Sequence, residues 1–385
     1  MEETTDGRTP CEAEAAEWTE RGIYWLDAIA QIDPPRTNQR RNLRRPLTVA
    51  GHGARLYVER GSLVVWGGFS HYPQVRETWR FWPGDQRRPS RLFLLDGSGS
   101  ITFDALDWLA EQDVPLIRLD YRGKCVATLG SYETNSDLQL RQLALVQDEQ
   151  AALRSATRLV ARKLATMLRV LGQDAPPSSF CDAAIEIISA HLKVARSDHV
   201  PSIDALLGIE GVTAAVYWRS WHEMPVRWKG LSRRPVPIEW HQVGPRQSAR
   251  NPKNHLASNP VHAMLNYGYA LLESHVRIGI AAEGLNPSLG VLHRNRPGRD
   301  GLVLDLMEPL RAVVDQGVFR LVGKHGLSPG DVLLGANGSV TLHPQLARAV
   351  VQTVSAALKA EPGSLMSEGL FGSEDLSKSH SAATG

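Results

Sequence analysis

Cysteine is scarce in this 385-residue chain: Cys11, Cys125 and Cys181 are far apart, odd in number and in no C-x-x-C pair. That excludes a disulfide framework and a zinc ribbon, and it suits a reducing compartment. Long hydrophobic runs are missing too. No stretch of about 18 apolar residues occurs, so no membrane-spanning helix is expected. The N-terminus, MEETTDGRTPCEAEAAEW, is acidic where a signal peptide would be basic and then apolar. A soluble cytoplasmic protein is the expectation. Nor does one sign of charge dominate, since 43 Lys and Arg face 41 Asp and Glu, a net charge of +2. Evenly spread, such a balance would argue against a nucleic-acid binder.

The charges are not evenly spread. Residues 2 to 20 carry seven acids and one Arg, and an Arg-rich run with Arg36, Arg40, Arg41, Arg44 and Arg45 follows Pro34-Pro35. Between them Trp18, Ile23, Trp25, Leu26 and Ile29 can give a short helix an apolar stripe. Two readings of residues 1–45 are open, a loosely ordered extension and a docked or partner-binding helix. From Arg219 to Lys253 the local balance is +6. Arg227, Lys229, Arg233, Arg234, Arg246, Arg250 and Lys253 are candidate DNA contacts there, and Trp218, Trp221, Trp228 and Trp240 offer faces for stacking on unpaired bases. A solvated basic loop anchored by core Trp residues is the alternative.

At roughly 150 residues per domain, the length suits two domains with tails. Residues 46–130 read as strands with one helix. Ala54–Glu59 and Ser62–Trp66 form a hairpin across Arg60-Gly61, Arg91–Leu95 is a strand, Ile101–Glu111 is a helix, and Val114–Leu119 pairs with Lys124–Leu129. The Asp96-Gly-Ser-Gly-Ser100 loop lacks both the G-x-G-x-x-G spacing and a Walker Lys, which favours a structural turn over a phosphate site. A linker at 131–145 leads to an α-helical domain at 146–358, and 359–385 is Gly/Ser-rich and expected to be a disordered tail. Within the helical domain Leu153, Ala156, Val160, Leu164, Met167 and Leu171 recur at helical spacing, and Asn259-Pro260 opens a helix to about Ala282. The fold class is α+β, a β-rich N-terminal domain joined to a larger all-α catalytic domain.

Two segments set acids and a histidine beside glycine. In Gly208-Ile-Glu210-Gly211, Glu210 stands at the mouth of an apolar helix, where the macrodipole alone would favour an acid. In the second, a loop with His293 leads to Asp305-x-x-Glu308-Pro309, which also resembles a capping box.

The stretches LDGSGSITFDALDWLAEQDVPLIRLDYRGK, GIEGVTAAVYW, NPVHAMLNYGYALLE and LGVLHRNRPGRDGLVLDLMEPLRAVVD resemble the CRISPR-associated spacer-integration endonucleases, over residues 47 to 355. The resemblance implies a divalent ion, Mg²⁺ or Mn²⁺, held by Glu210, His293 and Glu308 as catalytic and metal-binding residues. Asp305 is then an outer acid or merely a cap. His262 replaces the usual Asn and is either a polar residue in a helix's first turn, beside the site, or an added metal ligand. Two carboxylates and an imidazole without a thiolate suit such an ion. The resemblance further implies joining of prespacer 3′-OH ends to the CRISPR repeat, DNA as partner, a homodimer, and a complex with the small companion CRISPR-associated adaptor. Two other classes compete with this integrase reading: a non-catalytic DNA-binding or assembly protein of the same fold, and a small-molecule metallohydrolase.

Overall fold

The computed structural model describes residues 10–32, 46–69, 76–95, 97–120, 125–130, 136–197, 200–231, 234–246, 256–293, 300–361 and 370–371. The chain forms two compact units that interleave along the sequence. The first gathers residues 1–130, 225–271 and 320–356, the second 131–224, 272–319 and 357–385.

The first unit holds two four-stranded sheets. In one, β1 (Leu47–Ala50), β5 (Leu92–Leu95) and β7 (Leu116–Leu119) run parallel, and β8 (Cys125–Leu129) closes the edge antiparallel to β7. The other has the order β4 (Thr78–Phe81), β3 (Ser62–Trp66), β2 (Ala54–Glu59), β6 (Gly99–Ile101). The β2–β3 turn places Arg60 and Gly61 at φ 51° and 77°, the paired positive values that a tight hairpin following the strand twist requires. Leu56, Leu63, Val65 and Leu92 pack with Trp108 and Leu109 of α2 (Phe103–Glu111), whose first turn is capped by the Thr102 hydroxyl accepting from the Ala105 N–H.

The Asp96–Ser100 loop is a structural turn in its described part. Gly97 sits at φ +80°, and a Cβ there would lie 2.0 Å from the Gly51 carbonyl oxygen. Small residues are needed because two backbone segments touch. Gly97→Ala is expected to destabilise the protein by about 2 kcal/mol, from forbidden backbone geometry plus overlap; an unchanged midpoint in urea would contradict this.

The N-terminal extension contains the 23-residue helix α1 (Pro10–Ile32), packed on the 3₁₀ turn Pro329–Asp331. Its buried face differs from the expected stripe. Ile23 and Leu26 are 57% and 41% exposed, whereas Arg21, Gly22, Trp25 and Ala28 are buried. An arginine can occupy a core register here because Asp331 receives Arg21 Nε and Nη2 at 2.8 Å each and Trp25 Nε1 at 2.7 Å.

The second unit is built on α4 (Glu149–Asp174), α5 (Ser179–Ala195) and α6 (Ile203–Arg219), capped at their N-termini by the side chains of Asp148, Ser178 and Ser202. The expected linker at 131–145 is largely helix α3 (Ser136–Gln147). Gln142 on it is fully buried, donating to the Asn286 and Leu289 carbonyls, so the segment belongs to the core. The unit boundary falls inside α7 (Pro260–Ala282) and α9 (Arg311–Lys324), with α8 (Gly301–Met307) and a 3₁₀ turn at Glu308–Leu310 between them.

The region expected to be all-α also includes an antiparallel hairpin, β9 (Val332–Leu334) with β10 (Val340–Leu342), before α10 (Pro344–Ala360). Its residues are few and short, below what period-2 alternation can reveal. In the expected disordered tail, Leu370 and Phe371 are buried, and the Leu370 carbonyl accepts from Ser155 and Arg158. Two apolar residues are enough to anchor that point on α4. Among the described residues no helix is long and apolar enough to cross a membrane.

Candidate active site

Glu210 lies in the middle of α6, not at a helix mouth. The flanking glycines, which suggested a helix start, are helical, and a Cβ at either Gly208 or Gly211 would meet nothing within 4 Å. The helix carries two residues that cost it about 1 kcal/mol each relative to Ala, and both leave the backbone bare on either side of the carboxylate.

Lys163 of α4 connects Glu210 to Glu308. Its ammonium donates to Glu210 Oε1 and, at 2.6 Å, to Glu308 Oε2, while Arg311 Nε donates to Glu308 Oε1 at 2.8 Å. The Lys163 and Glu308 side chains are 3% and 5% exposed; Glu210 is 24% exposed. Two acids and two bases thus balance in one cluster, buried at Lys163 and Glu308 and partly exposed at Glu210 and Arg311. Burial by itself would raise the Glu308 carboxyl, but the charges of Arg311 and Lys163 outweigh it and take its pKa from the usual 4.5 down to about 2.

Lys163 escaped the sequence reading. The available signal was its register: it lies three residues after Val160 and four before Met167, on the apolar face of α4. A charge there needs a buried partner.

Asp305 is within α8 and fully buried, so it is no helix cap. Its Oδ2 accepts from the Val291 and Leu292 N–H groups. Its Oδ1 accepts from the His293 N–H at 2.9 Å and contacts His293 Nδ1 at 2.8 Å. One carboxylate therefore fixes both the loop and the ring that it presents. Tight packing helps: Gly290 approaches the start of α8 so closely that a Cβ would lie 2.5 Å from the Gly301 carbonyl carbon.

The geometry brings Glu210 and Glu308 together on Lys163 and sets His293 on Asp305, one helical turn before Glu308. Among the described residues no three His, Cys, Asp or Glu side chains are arranged as a metal cage. His262 is buried in the first turn of α7, in the first unit.

Of the basic candidates, Arg227 and Lys229 are exposed. Arg234 pairs with Glu17 at 2.8 Å, and Arg246 donates to Asn266 Oδ1 at 2.9 Å. Arg233, Arg250 and Lys253 lie outside the described residues. Two of the proposed stacking platforms are core instead. Trp221 is buried and stacked on Phe319, and Trp240 is buried against Trp228, donating to the Ser258 carbonyl. Indoles bury too much apolar area to be left in water when a core is within reach. Trp218 and Trp228 remain partly exposed.

Comparisons with known proteins place this geometry in context. A curated relative, CRISPR-associated protein Cas1 3 of Methanobrevibacter ruminantium, is 30% identical over 257 residues, 64% of this chain and 71% of the relative. CRISPR-associated endonuclease Cas1 1 of Archaeoglobus fulgidus is 27% identical over 301 residues, 74% of this chain and 80% of the relative. A solved structure of a casposase bound to integration product superposes with a TM-score of 0.67 at 26% identity, covering 85% of this chain and 88% of that one. The family model described as CRISPR associated protein Cas1 matches residues 47–356, from β1 to within α10. That span takes in both four-stranded sheets, helices α3 to α9 and the acid cluster, and leaves α1 and residues 357–385 outside it; the chain belongs to the Cas1 family.

Proposed function

We propose that this protein is a divalent-metal-dependent DNA endonuclease and integrase that inserts prespacers into a CRISPR array. The observation that carries the reading is the meeting of Glu210 and Glu308, from separate elements, on one buried cationic centre, with His293 held by Asp305 a turn away.

The donor set fits a hard cation such as Mg²⁺ or Mn²⁺. It offers two carboxylates and an imidazole, and Glu308 stays ionised far below neutral pH, so protons do not compete for it. The Asp305 contact at Nδ1 is the kind of outer partner that ligating histidines have, and it leaves Nε2 as the ring nitrogen for an ion. Glu210, His293 and Glu308 would hold the ion, which supplies Lewis-acid stabilisation of the phosphodiester and a lowered pKa for the attacking hydroxyl. Lys163 and Arg311 keep the acids ionised and in place.

The reaction is transesterification. A prespacer 3′ oxygen forms a bond to the phosphorus of the repeat strand as the old 3′ O–P bond breaks; the attacking hydroxyl gives up its proton to solvent and the departing 3′ oxygen takes one up, so a new 3′-OH is released with no net proton change. Water in place of the 3′-OH gives nicking. Arg227 and Lys229 offer phosphate contacts, so DNA affinity falls with salt. In this reading, as the family resemblance implies, the protein works as a homodimer with the Cas2 adaptor.

Strand transfer with Mn²⁺, comparing wild type with Glu210→Gln and His293→Ala, tests the reading. Joining falls at least about 100-fold in each variant, in line with loss of a metal-ion contact. Undiminished joining in either overturns the assignment, and salt-sensitive DNA binding with no metal-stimulated joining would identify a non-catalytic DNA-binding protein.

A further inference from the structure

Helix α1 contributes to a second candidate site, lined by residues of the first unit alone. In the first unit, Tyr24 of α1 joins Arg227, Trp228, Lys229, His241 and Lys324 around a cavity of about 510 Å³, within the range of about 300–1,000 Å³ usual for small-ligand pockets. Three of these side chains are cationic, and no carboxylate lines the cavity among the described residues. Two acids of the first unit are committed to other partners: Glu17 to Arg234, and Asp331 to Arg21 and Trp25.

These cations also act on a neighbouring ring. His325, which shares a 2.9 Å hydrogen bond with the Tyr24 hydroxyl, is pushed toward its neutral form by burial and by the charges of Lys324, Lys229 and Arg21. Aromatic surface adjoins the charge. The half-buried Trp228 ring is stiffened by stacking on Trp240 and by its Nε1 donating to the Trp240 carbonyl. Lys229 lies 5.5 Å over the Tyr24 ring. Cations that can hold a phosphate next to a rigid indole match one phosphorylated nucleotide.

We infer that this cavity binds a single phosphorylated nucleotide at an unpaired end of a DNA strand, its phosphate on Lys229, Lys324 and Arg227 and its base against Trp228. The inference rests on the DNA reading above and deepens it. Tyr24 lies outside residues 47–356, so one wall of the pocket comes from beyond the span that the family model matches.

Calorimetric titration of the full chain with 2′-deoxyadenosine 5′-monophosphate tests it, alongside deoxyadenosine, inorganic phosphate and a 5′-phosphorylated single-stranded oligonucleotide. The monophosphate binds with a Kd below about 1 mM, and each half-ligand is at least tenfold weaker, since phosphate and base are both recognised. The oligonucleotide competes with the monophosphate. Lys324→Ala and Trp228→Ala each weaken it at least tenfold, with circular dichroism confirming the fold. Phosphate binding as tightly as the monophosphate, indifference to both variants, or no binding overturns the nucleotide site. Duplex binding and strand transfer are measured separately, so a failed pocket with intact joining leaves the integrase reading in place, and failed joining with intact pocket binding does the reverse.

Discussion

Glu308→Ala will destabilise the helical unit by about 3–5 kcal/mol at pH 7, the usual cost of breaking a buried ion pair from one side. Lys163, 3% exposed, loses its 2.6 Å contact and keeps only Glu210, and Arg311 loses its 2.8 Å partner. Two positive charges then share one partly exposed acid, and the Lys163 ammonium, the most deeply buried of them, bears most of the cost. Urea unfolding reads the loss directly. Removing the charge on the other side as well should recover much of it: Lys163→Met with Glu308→Ala puts an unbranched apolar chain along the same path, and Glu210, at 24% exposure, can be solvated alone. If the double variant is as unstable as Glu308→Ala, the loss comes from packing and not from the stranded ammonium.

The same cluster sets an acid limit. The Glu308 carboxyl titrates near pH 2 in the folded protein against the usual 4.5. Its stabilisation is therefore fully present above about pH 4.5 and is lost as pH falls toward 2, about 3 kcal/mol across that window. In Glu308→Gln that segment of the stability profile flattens. A profile as steep as wild type between pH 4.5 and 2 would assign the acid sensitivity to other carboxyls.

Much of the scaffold was legible because it depends on short-range pattern. The β2–β3 hairpin, β5, β7 with β8, and the opening of α7 at Asn259-Pro260 follow from alternation, turn residues and capping chemistry, and Asn259 Oδ1 does accept from the Val261 N–H. What escaped depends on partners distant in sequence. Arg21 reads as a surface charge until Asp331, 310 residues away, is brought to it. Lys163 reads as one of several basic residues on α4 until Glu210 and Glu308 arrive, 47 and 145 residues on. Gly208 and Gly211 misled for the opposite reason: glycine usually punctuates a helix, and here α6 runs through both, started by Ser202. Trp221 and Trp240 misled because a basic neighbourhood says nothing about which way an indole turns. The candidate ligands themselves were named through family resemblance; spacing alone had left Glu210 and Asp305 as plausible helix-end acids.

Asp305→Asn is the change with the widest expected reach. The carboxylate accepts from three consecutive backbone N–H groups, Val291, Leu292 and His293, and from the His293 ring, all in a fully buried position. An amide has one acceptor oxygen and turns an NH₂ toward donors that need an acceptor. Hydrogen bonds to a charged group are worth about 1.5–3 kcal/mol each, so losing two of these four costs about 3–6 kcal/mol of stability. Joining activity falls by a further 10–100-fold among molecules that remain folded, because the ring is no longer held at Nδ1. Imidazole ¹⁵N shifts separate the two effects. In wild type the Asp305 contact selects the tautomer with the proton on Nδ1, and in Asp305→Asn, read on molecules whose fold circular dichroism confirms, that population drops. An unchanged ratio in a folded variant would reduce Asp305 to a loop anchor and remove it from the positioning of His293.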